Sequence, residues 1–137
     1  MTLYAATDGA SRGNPGESGV GVVVRDEGGR EILSISGYLG TTTNNIAEYT
    51  ALIVLLKAMQ HVPCTKLIVQ SDSELLVRQV NGVYKVKDHK LKQKFEEVRS
   101  LRAAASYELE LNYVPRERNG EADGLANRGI DEKRSVY

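Results

Sequence analysis

Four carboxylates stand where a phosphodiester-cleaving site would need them. Asp8 closes an apolar run, Glu48 enters a helix, Asp72 closes a second apolar run, and Asp123 enters the last helix. Four converging acids repel one another and cannot all stay ionised without cations, so their natural occupant is a pair of divalent metal ions. Hard oxygen ligands, with no His or Cys cluster beside them, favour Mg²⁺ or Mn²⁺ over zinc. Two such ions can clamp an in-line displacement at phosphorus, one activating water and the other stabilising the departing oxygen. Each acid also has a plainer account. Asp8 can open a turn before Gly9, Glu48 follows Asn45 at capping-box spacing, Asp72 can cap a helix, and Asp123 can complement a helix dipole. Those accounts explain one residue each, and none explains the set.

The elements that must gather these acids can be read from the hydropathy pattern. Residues 3–7 form a short apolar run ended by Asp8-Gly9, followed by the turn-rich Gly13-Asn14-Pro15-Gly16. Residues 19–25 and 31–39 flank Asp26-Glu27-Gly28-Gly29 as a hairpin. From Asn45 to Gln60 apolar residues occur nearly all round the helical wheel, which predicts a buried helix. Residues 66–70 form a strand reached through that helix, hence a crossover and parallel pairing with the first strand. Helices are expected over 73–81 and 88–104, the latter with Leu91, Phe95, Val98 and Leu101 at helical spacing. Residues 108–114 alternate up to Pro115, and Asn119-Gly120-Glu121 opens a final helix. The order β-β-β-α-β-α-α-β-α implies an α/β fold, a five-stranded mixed sheet with helices on both faces. Strands ending at Asp8 and Asp72 would then place both acids on one sheet edge, where open α/β sheets bind ligands.

Composition narrows the field. A chain of 137 residues is the size of one domain, so 1–137 is read as a single unit. Lys plus Arg equals Asp plus Glu at 18 each, so no overall field draws the chain to polyanions, and any nucleic-acid footprint must be local. Cys64 is the only cysteine, which excludes an intramolecular disulfide and a multi-cysteine zinc site and fits a reducing, cytoplasmic setting. No run approaches membrane-spanning length, so a soluble protein without a membrane partner is expected, with a monomer as the default.

The ordered motifs resemble those of type 1 ribonuclease H, in the compact form that lacks the long basic handle. Asp8-Gly9-Ala10 with Gly13-Asn14-Pro15-Gly16 is similar to the family's first motif, and Thr43-Asn44-Asn45-Ile46-Ala47-Glu48 to its second. Ser71-Asp72-Ser73 resembles the third, and Asn119 through Ala126 the fourth. The resemblance runs from about Leu3 to Asn127. It implies hydrolysis of the RNA strand of an RNA/DNA hybrid, leaving 5′-phosphate and 3′-hydroxyl ends. By the same resemblance Asp8 bridges two metals, Asp123 completes the water-activating site, and Glu48 with Asp72 holds the leaving-group site. Alternatives are a broader nuclease that also cuts double-stranded RNA, and a non-catalytic hybrid binder.

RNA is told from DNA through groups such as the 2′-hydroxyl, and short amides suit that task. Asn14, Asn44 and Asn45 are the candidates, against plain turn and cap chemistry. The resemblance places Asn14 and Asn45 along the minor groove, assigns Thr43 and Asn44 to a DNA-strand phosphate, and puts Tyr84 against a DNA sugar, where a core tyrosine is the competing account. Residues 85–102 hold seven Lys or Arg against three acids, and Lys87, Lys90 and Lys94 share a helical face, either a phosphate footprint or a solvated surface.

The match also departs from the family. The loop before the last acid reads Val114-Pro115-Arg116-Glu117-Arg118-Asn119 and lacks the histidine of the familiar bacterial enzymes. Arginine replaces it in archaeal-type relatives, so Arg118 is the expected catalytic-loop residue, with Arg116 the alternative. An arginine there acts electrostatically, because it cannot serve as a general base near neutrality. Glu74 stands where a glutamine is usual, which puts a charge near a groove contact, and weaker substrate affinity is expected without the handle.

Overall fold

The computed structural model describes residues 1–135; Val136 and Tyr137 lie outside the described residues. Five strands form one mixed sheet in the order β3-β2-β1-β4-β5. They are β1 (Thr2–Gly13), β2 (Gly16–Arg25), β3 (Glu31–Thr42), β4 (Lys66–Ser71) and β5 (Glu108–Tyr113). β1 pairs antiparallel with β2 and parallel with β4, β2 pairs antiparallel with β3, and β4 pairs parallel with β5. Among the described residues four α-helices flank the sheet, α1 (Asn44–Ala58), α2 (Glu74–Val80), α3 (His89–Ala104) and α4 (Gly120–Glu132), with short 3₁₀ turns at Met59–His61 and Arg116–Arg118. The expected element order is the observed one.

Both faces of the central strands are covered, which is why β1 and β2 read as near-continuous apolar runs. Leu3 and Ala5 of β1 and Val20, Val22 and Val24 of β2 pack with α1 in the main core. The opposite face joins Ala6 and Val23 to Ala122 of α4. Helix α1 is buried at every residue from Ala47 to Leu56, as its all-round apolar wheel predicts. Tyr49 within it donates to Gln79 Oε1 of α2 at 2.6 Å, giving a buried hydroxyl its partner. The β2–β3 turn forms at Asp26, whose Oδ1 accepts from Gly28 N and Arg30 N at 2.9 Å each. Gly29 supplies the positive φ of 83° that this turn needs.

The first three strands extend beyond their apolar runs, and this corrects the sequence reading at one important point. Asp8 does not close its strand. β1 continues to Gly13, pairing residue by residue with β2 down to Gly13 and Gly16. Hydropathy marks only the buried stretch, whereas the backbone ladder continues through polar residues and glycine. What does end near Asp8 is the parallel pairing with β4, whose last partners are Thr7 and Ser71. Asp8 therefore lies where β1 loses one neighbour and keeps the other. No helix among the described residues is long and apolar enough to cross a membrane.

Candidate active site

Two glycines bring the outer helices down to the level of Asp8. A Cβ at Gly9 would collide with the backbone of Ala47 and Glu48, so α1 approaches β1 as closely as it does only because the side chain is missing. The same approach lets Gly9 N donate to Glu48 Oε1 at 2.7 Å. Across the sheet, a Cβ at Gly21 would meet Ala122 O and Ala126 N, and Gly21 is the register partner of Asp8. Helix α4 thus settles directly beside Asp8 and carries Asp123 with it.

Three of the four plainer accounts fail against this geometry. The N-cap of α1 is Thr43, whose Oγ1 accepts from Ile46 N at 3.3 Å, so Glu48 is free to turn inward. The N-cap of α2 is Ser73 rather than Asp72. Asp8 is no turn opener, because the strand runs through it. Asp123 does lie in the first turn of α4, and the dipole account stays compatible with its position. The start of α4 is set in an unexpected way. Asn119 is buried and does not cap the helix with its side chain; its Nδ2 donates to Thr7 O at 2.9 Å, while Gln70 Nε2 donates to its Oδ1 at 3.3 Å. One amide thereby ties the start of α4 to β1 and β4.

Asp8, Glu48 and Asp72 each offer a carboxylate oxygen within 4.8 Å of the other two. Asp123 lines the same cleft of about 350 Å³ with Asn44, Arg12, Arg116 and Asn127. Burial, then the charges of Glu48 and Asp72, push the Asp8 carboxyl up to about 10. Burial also raises Glu48 to about 8, with the Gly9 N–H opposing and the Asp72 charge adding to the rise. Buried acids crowded in this way fit a divalent cation, whose charge would relieve both the repulsion and the lost hydration. A larger hollow of about 520 Å³ lies between Met59–Pro63 and Leu101–Tyr107 and has no carboxylate in its lining.

The other sequence-predicted residues are divided among neighbouring surfaces. Asn44 reaches the acid cleft, while Asn14, Thr43 and Asn45 line an adjoining groove with Asp88, His89 and Lys90. Asn14 Oδ1 accepts from Asn44 N at 3.1 Å, which leaves its Nδ2 as a donor toward the groove. In the loop before Asp123 the structure brings Arg116 to the cleft and does not bring Arg118 there. The Arg118 carbonyl instead accepts from Gln70 Nε2 at 2.9 Å. Tyr84 is 47% exposed, so it is not a core tyrosine. The Arg78 guanidinium lies 5.6 Å from its ring centroid and also pairs with Glu74 at 2.8 Å, giving the unexpected acid a partner. Sequence reasoning missed Arg12 and Asn127, which stand beside Asp123. Their spacing carries no signal, because 115 residues separate them.

A five-stranded sheet of order 3-2-1-4-5, with acids gathered at the middle of its central strand, defines the ribonuclease H-like fold. A family model described as reverse transcriptase-like matches residues 6–129. The chain is 34% identical to a ribonuclease H of Methylococcus capsulatus over 149 aligned positions, covering 96% of this chain and 90% of that protein. It is 43% identical, with a TM-score of 0.90, to LC11-RNase H1 solved in complex with an RNA/DNA hybrid, covering 95% of this chain and 97% of that one. The chain belongs to the ribonuclease H family, in its type 1 branch. A bifunctional protein of Mycobacterium tuberculosis is 38% identical over 132 residues, and the match takes in 96% of this chain but 36% of that protein's length.

Proposed function

We propose that the chain acts as one catalytic domain, an endoribonuclease that hydrolyses the RNA strand of RNA/DNA hybrids. The observation that carries this reading is the convergence of Asp8, Glu48 and Asp72, with Asp123 in the same cleft, in a member of the ribonuclease H family. Two Mg²⁺ or Mn²⁺ ions, when bound, would supply charge neutralisation at phosphorus and would make a water acidic enough to give up a proton and so become the nucleophile. Asp8, Glu48, Asp72 and Asp123 would hold them. Water adds to phosphorus as the bond to O3′ breaks, leaving a 5′-phosphate on one product and a 3′-hydroxyl on the other.

The remaining residues choose and orient the duplex. Asn14 and Asn45 offer side-chain amides to the 2′-hydroxyl, which only the RNA strand has. Thr43 and Asn44 open α1, where the positive end of the helix dipole favours a phosphate of the DNA strand. Arg116 contributes fixed positive charge where charge accumulates on the reacting phosphate. Tyr84, exposed and with the Arg78 guanidinium 5.6 Å over its ring, offers a flat face to a sugar.

A labelled RNA/DNA hybrid incubated with Mg²⁺ or Mn²⁺ should lose its RNA strand to 5′-phosphorylated fragments. Asp8→Asn and Asp72→Asn should abolish the cutting. Undiminished turnover in either variant would refute the mechanism. A double-stranded RNA arm run alongside tells a hybrid-specific enzyme from a broader one, and hybrid binding without turnover in either metal would mark a binder.

A further inference from the structure

Asp123 differs from Asp8 and Glu48 in being only half buried, on a helix face that borders solvent. A line of polar contacts reaches it from behind. Asn127, one helical turn on, donates from Nδ2 to Asp123 Oδ1 at 3.3 Å and to Asp123 O at 3.1 Å. Arg12, on β1, donates from Nη2 to Asn127 Oδ1 at 3.3 Å and to Asn127 O at 3.4 Å. The Nη1 of Arg12 pairs with Asp131 at 2.8 Å.

The chemistry of the two ends fixes the amide between them. A guanidinium only donates and an ionised carboxylate only accepts, so Asn127 must turn its oxygen to Arg12 and its NH₂ to Asp123. Amide orientation is ordinarily a choice between two similar fits, and here both partners exclude the reversed one. The neutral amide also separates Arg12 from Asp123. Direct pairing would spend the carboxylate's charge on the guanidinium; the interposed amide orients the carboxylate and leaves that charge for a cation.

We propose that Asn127 is a positioning residue for Asp123 and that Arg12 acts through it by locking the amide. Asp123 then meets a divalent ion in an orientation already set. This rests on reading Asp123 as a metal-holding group. Groups that orient a ligating side chain are typically worth ~10- to 100-fold in metal affinity.

The test is calorimetric titration of Mn²⁺ into the nucleic-acid-free protein, with melting temperature in EDTA recorded for each variant. Asn127→Ala should weaken Mn²⁺ binding about tenfold while the EDTA melting temperature stays close to the native value. Arg12→Met should weaken binding by a smaller factor, and Arg12→Lys should restore most of it, because lysine likewise only donates. Arg12→Met combined with Asn127→Ala should bind no worse than Asn127→Ala alone, as expected for two members of one line. Asp123→Asn is the control. If it weakens binding and Asn127→Ala does not, the positioning role is overturned. If Asp123→Asn itself binds as the native chain does, the metal-holding reading of Asp123 falls and the proposal with it. If the Arg12 and Asn127 losses multiply, Arg12 acts independently and its part is overturned.

Discussion

Replacing Asp8 by Asn should make the metal-free protein more stable while destroying its proposed activity. Folding buries Asp8 against Glu48 and Asp72 and raises its carboxyl from an ordinary 3.8 to about 10. An acid whose folded value is raised binds a proton more tightly in the folded than in the unfolded chain. Stability is therefore intact below the unfolded value and is lost as pH rises from about 4 toward 10. At pH 7 the full shift corresponds to a penalty of at most ~4 kcal/mol, and water in the open cleft lowers the expected value to about 3 kcal/mol. Asparagine keeps the shape and carries no charge, so Asp8→Asn should recover that amount, an increase of about 10 °C in melting temperature. The assay is thermal unfolding followed by circular dichroism in EDTA at pH 7 and at pH 4. At pH 4 the gain should shrink to below about 1 kcal/mol, because that pH lies only just above the unfolded carboxyl's 3.8, so keeping the folded one protonated costs little. Mg²⁺ at about a hundredfold excess over its dissociation constant should stabilise the native chain by about 2.7 kcal/mol and the variant far less, closing the gap. A variant no more stable than the native chain at pH 7, or a gain that is the same at both pH values, would refute the electrostatic account.

Three further substitutions probe how the site is assembled. Gly9→Ala should cost about 2 to 3 kcal/mol in urea unfolding and lower turnover, since the new methyl meets the α1 backbone at Ala47 and Glu48 rather than a movable side chain. Asn119→Ala strands the buried Thr7 carbonyl and should cost about 1 to 3 kcal/mol; steady-state kinetics should show a lower kcat with little change in KM, because α4 loses its tie to β1. Arg116→Ala should lower kcat/KM for the hybrid by roughly tenfold or more, about 1.4 kcal/mol, while Arg118→Ala stays near the native value. Equal losses in the two arginine variants would reject the assignment drawn from the cleft.

The element order and the pairing of β1 with β4 were legible because apolar runs and helical wheels report burial directly. The site acids were legible as a set because their motifs are short and local. Hydropathy could not show that β1 passes through Asp8, since the stretch from Gly9 to Gly13 is held by backbone pairing with β2. Which loop arginine enters the cleft is decided by the short 3₁₀ turn Arg116–Arg118, whose conformation residue types alone do not specify. Asn119 reads only as part of the segment that opens the last helix, yet its side chain bonds 112 residues away. The contact of Arg12 with Asn127 is of the same kind. Long-range side-chain pairings leave no periodic trace.

The distance along the chain between Asp8 and Asp123 has a consequence for synthesis. Translation delivers β1 before α4, and chains generally fold from the N-terminal side as they emerge. Asp8, Glu48 and Asp72 can come together once β4 has paired, but the fourth acid arrives only when α4 has docked across Gly21. A chain made only as far as β4 thus carries an incomplete set of the candidate-site acids. On the proposed reading, the nuclease has no finished site until α4 has been made and has docked.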